Sequence, residues 1–161
     1  MRPDIYWINS LATLRLGVMS RPRAGDWLDD EISAWKRDGV DVVVSLLEVH
    51  EVRELALQRE AGLCAEQNME FISFPIPDRG TPDSKPAVLK LVDYLTTSLQ
   101  SGKGVVIHCR AGIGRTGLIA ACILSRGGIA QADLFPVLSA ARGVMMPDTQ
   151  SQIDWVHGFL R

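Results

Sequence analysis

The sequence predicts an α/β fold in which a central, mostly parallel sheet is flanked by helices. Two apolar runs, at 42–47 and 105–107, are short and rich in β-branched residues, which is typical of strands covered on both faces. Helical patterns alternate with the strands along most of the chain, as in folds built from β–α–β units. The length of 161 residues predicts one globular domain spanning residues 1–161.

The first quarter of the chain predicts two strands and a helix. Residues 5–8 and 14–18 are short apolar or alternating runs that fit a hairpin or two adjacent edge strands. A loop with proline and glycine follows. Asp26 is then a suitable N-cap for a helix that ends at Gly39.

The next stretch predicts a strand, a long helix and a second strand. The strand at 42–47 leads into a turn that we expect to be solvated, holding Glu48, His50 and Glu51. One helix then covers about residues 51–67, with Cys64 on its apolar side. A strand at 70–76 follows and is stopped by prolines.

Four helices and one strand are predicted for the rest of the chain. In order they are a helix from Asp83 or Ser84 to the break at 102–104, a strand at 105–107, a buried helix around 118–124, a helix from about 130 to 141 and a terminal helix from 147 onward. Cys122 lies in the buried helix and is expected to be part of the core. In parallel sheets the functional loops lie beyond the carboxyl ends of the strands.

Composition excludes several classes of function. The 17 basic and 19 acidic residues give a net charge of −2, which argues against a nucleic-acid partner. The three cysteines lack the spacing of a metal site, and together with the lack of a secretion signal they favour a reducing cytoplasm. The longest apolar stretch is too short to span a bilayer. We therefore expect a cytoplasmic, monomeric protein without metal or cofactor.

The turn at 108–116 joins the last predicted strand to the buried helix and carries an unusual set of side chains. Gly112 and Gly114 allow several backbone N–H groups to converge on one point, as in an anion-binding nest. The start of the helix adds a positive end. Both features favour the thiolate of Cys109, which is the nucleophilic form. The same nest would hold a tetrahedral dianion against the sulfur.

Three neighbours of the cysteine complete the turn. The forked guanidinium of Arg115 suits two phosphate oxygens at once and would stabilise the charge that develops in an in-line displacement. The hydroxyl of Thr116 would donate to the sulfur and ease its departure. His108 is expected to hold backbone groups of the turn rather than to act as a base.

These residues spell His-Cys-x5-Arg-Thr, and the chain resembles the cysteine-based protein tyrosine phosphatase superfamily on its dual-specificity side. The resemblance covers roughly residues 40–155 and implies a two-step mechanism through a phosphocysteine on Cys109, with Arg115 and Thr116 in supporting roles. It also implies a phosphate-binding loop made by Arg110, Ala111, Gly112, Ile113, Gly114 and Arg115.

The resemblance implies an acid and a water-positioning residue outside the turn. Asp78 lies in a Pro-Asp loop 31 residues before Cys109, where the superfamily places the acid that protonates the leaving oxygen and later activates water. Gln152 matches the second of two glutamines that position water in the tyrosine-specific branch. Asp148 stands at the first of those positions, so Gln150 remains an alternative to Gln152.

The resemblance implies a phosphorylated protein or peptide as substrate and phosphate-like anions as ligands. Phosphoinositides and RNA 5′-phosphates rank lower, because Arg110 is the one basic side chain that the loop has in addition to Arg115. The sequence shows no tyrosine-bearing substrate loop of the deep-pocket branch, which favours a shallow pocket that admits aromatic and aliphatic phosphoesters. A sulfurtransferase and a phosphate-reading module without turnover are the alternatives. A sulfurtransferase does not need Asp78 and Arg115 to act together, and a module without turnover would need a defect that the complete set Cys109, Arg115 and Asp78 does not show.

Overall fold

A five-stranded sheet organises the chain in a computed structural model that describes residues 4–11 and 13–161. The strands are β1 (Tyr6–Ile8), β2 (Arg15–Met19), β3 (Val40–Ser45), β4 (Glu70–Ser73) and β5 (Gly104–His108). Their spatial order is β1-β2-β5-β3-β4. The strand that leads into the cysteine turn therefore lies at the centre of the sheet.

The sheet is parallel except at one edge. β2, β5, β3 and β4 pair in parallel, and β1 pairs antiparallel with β2. This confirms the predicted fold class and the hairpin at the start of the chain. Because the four parallel strands run in one direction, their carboxyl ends and the loops that follow them share one edge of the sheet.

Seven helices accompany the sheet among the described residues. They are α1 (Asp26–Arg37), α2 (Val49–Glu54), α3 (Glu60–Glu66), α4 (Lys85–Gln100), α5 (Gly114–Arg126), α6 (Leu134–Arg142) and α7 (Gln150–Phe159). Within this part of the chain no helix is long and apolar enough to cross a membrane.

Side chains on the two faces of β5 belong to two separate hydrophobic cores. Val105 and Ile107 pack with apolar side chains of α4, α5, α6 and α7. Val106, between them, packs on the other face against Trp35 of α1 and Cys64 of α3. This alternation is what a strand with covered faces requires. It confirms the prediction that Cys64 and Cys122 belong to the core, since both are buried.

The predicted single helix at 51–67 is wrong, because the chain forms two helices there. α2 ends at Glu54, and Ala56 takes a left-handed conformation with φ 54°. The buried Leu57 then fills the second core before α3 begins at Glu60. The break allows acidic residues of both helices to turn inward.

Smaller differences concern the ends of elements. Gly25 precedes α1 in the N-cap position, and Asp26 is the first helical residue instead, where its charge favours the helix start. β4 ends at Ser73, although the N–H of Ile76 still donates to the Leu46 carbonyl at 3.1 Å. The helix expected at 130–141 begins with a 3-10 turn, Gln131–Asp133.

Gly104 offers a test of the packing at the start of the central strand. A Cβ at this position would collide with the carbonyl oxygen of Gly39. Gly104→Ala should therefore lower the free energy of unfolding by about 1–3 kcal/mol, measured by urea denaturation. Gly62→Ala is the matched control, because nothing lies near a Cβ in that exposed turn of α3. Equal stability of the two variants would contradict the packing described here.

Candidate active site

The turn between β5 and α5 places Cys109 at the carboxyl edge of the sheet. Its side chain is buried, with 3% of the residue exposed. The hydroxyl of Thr116 donates to the Cys109 sulfur over 3.0 Å. A hydrogen-bond donor at this distance stabilises negative charge on the sulfur.

Each carbonyl group of residues 109–113 has a hydrogen-bond partner. Cys109 O contacts the His108 ring at 3.2 Å, and Arg110 O accepts from Arg21 N at 3.2 Å. Ala111 O and Gly112 O accept from the side chain of Arg142, and Ile113 O accepts from Gly117 N. In a trans peptide the N–H points opposite to the carbonyl. The N–H groups of residues 110–113 therefore point away from these partners, which is the direction that the predicted nest requires.

Gly112 is required by the backbone of the nest. It has φ +73°, in the left-handed region, and a Cβ would lie 2.7 Å from Ser20 N and still nearer to the Met19 carbonyl group. No other residue type fits this position without moving the end of β2.

His108 is a charged, buried residue that holds the turn. Its Nε2 lies 2.6 Å from Glu60 Oε2, and its Nδ1 lies 3.2 Å from the Cys109 carbonyl. Both ring nitrogens face acceptors, so both must donate, which only the imidazolium does. Burial alone would lower the pKa of His108, but the Glu60 carboxylate and the two hydrogen bonds raise it above its ordinary value. These contacts hold the turn, and the role of His108 as a support rather than a base stays a prediction.

Arg115 is fixed by an acid that the sequence did not reveal. Its Nη1 and Nη2 donate to Glu51 Oε1 and Oε2 at 2.6 and 3.0 Å. Nη1 also donates to the Ile76 carbonyl at 3.0 Å. Burial raises the pKa of Glu51, but hydrogen bonds from Arg115, from the Glu48 N–H and from Arg110 outweigh it and hold the pKa below its usual value. The pair is thus ionised and rigid.

Asp78 meets Arg115 from the loop after β4. Its Oδ1 accepts from Arg115 Nη2 at 3.1 Å, and its side chain is 53% exposed while that of Arg115 is 2% exposed. The carboxylate therefore lies within reach of any anion bound by the same guanidinium. The structure brings together the predicted acid, arginine and cysteine turn.

Arg110 points away from the centre of the turn. Its guanidinium pairs with Glu51 and Glu54 at 3.3 Å each, and its side chain is 43% exposed. These two acidic partners on α2 limit the charge that it offers to a ligand.

Gln152 ties the terminal helix to the loop of the acid. Its Oε1 accepts from the backbone N–H groups of Asp148 and Thr149 at 3.1 and 3.2 Å, and its Nε2 donates to the Gly80 carbonyl at 3.2 Å. It is fully buried. Gln150, the alternative, is exposed and pairs with Asp154 instead.

Several site residues were missed or misplaced by sequence reasoning. The turn after β3 was expected to be solvated, which holds for His50 but is wrong for Glu51, since 1% of Glu51 is exposed. Glu60 and Arg142 were not singled out. Glu48 and Glu51 form a capping box at the start of α2, a local pattern that marks the start of a helix but not the burial of Glu51. Among the described residues no group of three or more His, Cys, Asp or Glu side chains is placed to hold a metal ion.

Solved structures show which fold this is. The chain is similar to kinase associated phosphatase, solved with its catalytic site cysteine changed to serine, with a TM-score of 0.89, 22% identity and coverage of 99% of this chain and 94% of that one. It is also similar to the active form of Tk-PTP, with a TM-score of 0.78, 24% identity and coverage of 99% and 97%. The fold is that of the protein tyrosine phosphatases.

The sequence identifies the family within that fold. Residues 17–129 match the family described as a polymorphic toxin system DSP-PTPase phosphatase, Tc-R-P, and the chain belongs to it. This confirms the resemblance to the dual-specificity branch.

Two curated relatives carry related descriptions. Cyclin-dependent kinase inhibitor 3 of Rattus norvegicus is 34% identical over 87 residues, which are 53% of this chain and 41% of that protein. Protein tyrosine phosphatase domain-containing protein 1 of Mus musculus is 34% identical over 110 residues, 65% of this chain and 14% of that protein. The chain thus spans less than half the length of these relatives.

The contribution of the His108–Glu60 pair to stability should depend on pH. The folded-state pKa of His108 lies above its unfolded value of about 6.5. The contribution is therefore fully present below that unfolded value and is lost as the pH rises through the folded-state pKa. Glu60→Gln should lower the free energy of unfolding by roughly 1.5–3 kcal/mol near pH 6.

Urea denaturation at a series of pH values measures this dependence. The difference between wild type and Glu60→Gln should shrink as the pH rises. Glu66→Gln, at an exposed position of the same helix, should stay close to wild type throughout. A Glu60→Gln difference that stays constant from acid to alkaline pH would show that His108 is neutral.

Proposed function

We propose that the chain is a cysteine-dependent phosphatase that hydrolyses phosphotyrosine in proteins or peptides, and phosphoserine or phosphothreonine as well. The observation that supports it most is the 3.1 Å contact between Asp78 and Arg115, at the first turn of the helix that follows the cysteine turn. A thiol nucleophile, a nest of N–H groups, a fixed guanidinium and a half-exposed acid are the parts that phosphoryl transfer through sulfur needs.

In the first step, the Cys109 thiolate attacks phosphorus, and the bond from phosphorus to the ester oxygen breaks. The N–H groups of residues 110–113 and the guanidinium of Arg115 hold the three equatorial oxygens. Asp78 gives its proton to the departing oxygen, so that an alcohol or phenol leaves.

In the second step, a water molecule attacks the phosphocysteine and releases inorganic phosphate. Asp78, now a carboxylate, takes the proton of the water. Thr116 donates to the Cys109 sulfur as the thiolate leaves. The contact from Gln152 to the Gly80 carbonyl supports a role for Gln152 in holding the loop of Asp78.

The side chains around the turn favour a protein substrate over a phosphoinositide or an RNA end. Arg110 is the only basic side chain between Cys109 and Arg115, and it already pairs with Glu51 and Glu54. A substrate with further phosphates would therefore meet two carboxylates beside that guanidinium.

Loss of the nucleophile tests the proposed reaction. Cys109→Ser should reduce turnover of an aryl phosphate or a phosphotyrosine peptide to background, because a serine hydroxyl is not ionised at neutral pH. Cys122→Ala, in the core of α5, is the matched control and should keep turnover. Ordinary turnover by Cys109→Ser would rule out the proposal, and a panel of phosphopeptides, inositol lipids and RNA 5′-ends would order the substrates.

Replacement of the acid tests the role of Asp78. Asp78→Asn should lower kcat by roughly 10²–10⁴-fold while substrate still binds, because an amide cannot give a proton to the leaving oxygen. Asp83→Asn, at an exposed position five residues on, should keep the wild-type kcat. A wild-type kcat in Asp78→Asn would assign the acid to another residue.

A further inference from the structure

Arg142 contacts the cysteine turn but has no role in the proposed reaction steps. It is the last residue of α6, far from Cys109 in sequence. Its Nη2 donates to the Ala111 carbonyl at 3.0 Å, and its Nε reaches the Gly112 carbonyl at 3.4 Å. These are the two middle carbonyls of the turn, and no backbone N–H among the described residues serves them.

The guanidinium of Arg142 is held in place from its other side. It lies over the ring of Tyr6 in β1, with the guanidinium carbon 4.3 Å from the ring centroid. Such stacking fixes the plane of a guanidinium and leaves its N–H edge available. Arg142 therefore links the first strand of the sheet, the end of α6 and the cysteine turn.

The middle of the turn needs an external restraint. Gly112 has no side chain to limit rotation of the peptide groups beside it. A rotation that brought the Ala111 or Gly112 carbonyl inward would replace an N–H group by a negative dipole end facing the bound anion. Two hydrogen bonds from one charged group oppose that rotation at both peptides.

We propose that Arg142 is a positioning residue that keeps the N–H groups of Gly112 and Ile113 directed at the phosphoryl group. The expected effect of Arg142 on catalysis rests on the proposed phosphatase function. The role requires the fork of the guanidinium, because two acceptors on adjacent residues must be reached at once. A lysine at this position would supply the charge but only a single point of contact.

Binding of tungstate, a phosphate analogue, tests the positioning without any turnover. Isothermal titration with the full chain should give an affinity about 10-fold weaker for Arg142→Gln than for wild type, the loss expected for charge-assisted hydrogen bonds. The affinity of Arg142→Lys for tungstate should be weakened to a similar extent. Arg126→Gln removes an equally charged, exposed arginine that pairs with Asp93 and should bind tungstate as wild type does.

Kinetics provide a second readout. A misplaced nest should lower kcat and kcat/KM together, by about 10- to 100-fold, because the equatorial oxygens are held in the transition state. Tyr6→Leu, which leaves Arg142 present but unstacked, should weaken tungstate binding in the same direction by a smaller factor.

The outcomes separate the inference from the proposed function. Full wild-type affinity in Arg142→Lys would overturn the inference, because charge alone would then suffice. Wild-type affinity in Arg142→Gln would also overturn it. If neither variant folds by circular dichroism, Tyr6→Leu decides, and unchanged tungstate binding there overturns the inference. If tungstate binding depends on Arg142 as expected but the wild-type chain turns over no phosphoester, the proposed function alone is refuted.

Discussion

The buried ion pair between Arg115 and Glu51 is the constraint on which the site depends. Both side chains are almost inaccessible to water, with 2% and 1% exposed, and removal of one partner from such a pair costs about 3–5 kcal/mol. Arg115 belongs to α5 and Glu51 to α2, so the pair can form only when α2 is docked across the carboxyl edge of the sheet. The carbonyls of Leu46 and Ile76 complete the shell of the guanidinium, which fixes the loops after β3 and β4 as well.

The nest of the cysteine turn depends on the fold in a similar way. His108, Arg21 and Arg142 hold successive carbonyls of the turn, and they come from the end of β5, the segment after β2 and the end of α6. A loop held from several elements cannot relax independently of the domain around it. Such preorganisation is what allows N–H dipoles to stabilise developing charge without a reorganisation cost at the moment of reaction.

The sequence predicted the cysteine turn from its own residues, and the family resemblance added Asp78 and Gln152, but the buried acidic partners Glu51 and Glu60 were left out. The turn at 108–116 could be interpreted because strand, glycines, cysteine and arginine follow one another within a few residues. Glu51 and Glu60 pair with residues 64 and 48 positions away, and an acidic residue in a helix carries no local sign that it is buried. The break at Ala56 was missed for the same reason, since a left-handed alanine is imposed by packing of Leu57 and not by propensity.

The site combines side chains that are buried with one acidic side chain that is accessible to solvent. Arg115, Glu51 and His108 are buried and hydrogen-bonded to residues of neighbouring elements, whereas the side chain of Asp78 is half exposed and contacts Arg115. The loop of Asp78 has a second link, because Gln152 donates to its Gly80 carbonyl. In the proposed reaction, the acid that gives and takes a proton must exchange with solvent, while the groups that hold the phosphoryl oxygens must not move. The division of burial between Asp78 and Arg115 satisfies both requirements with a single contact between them.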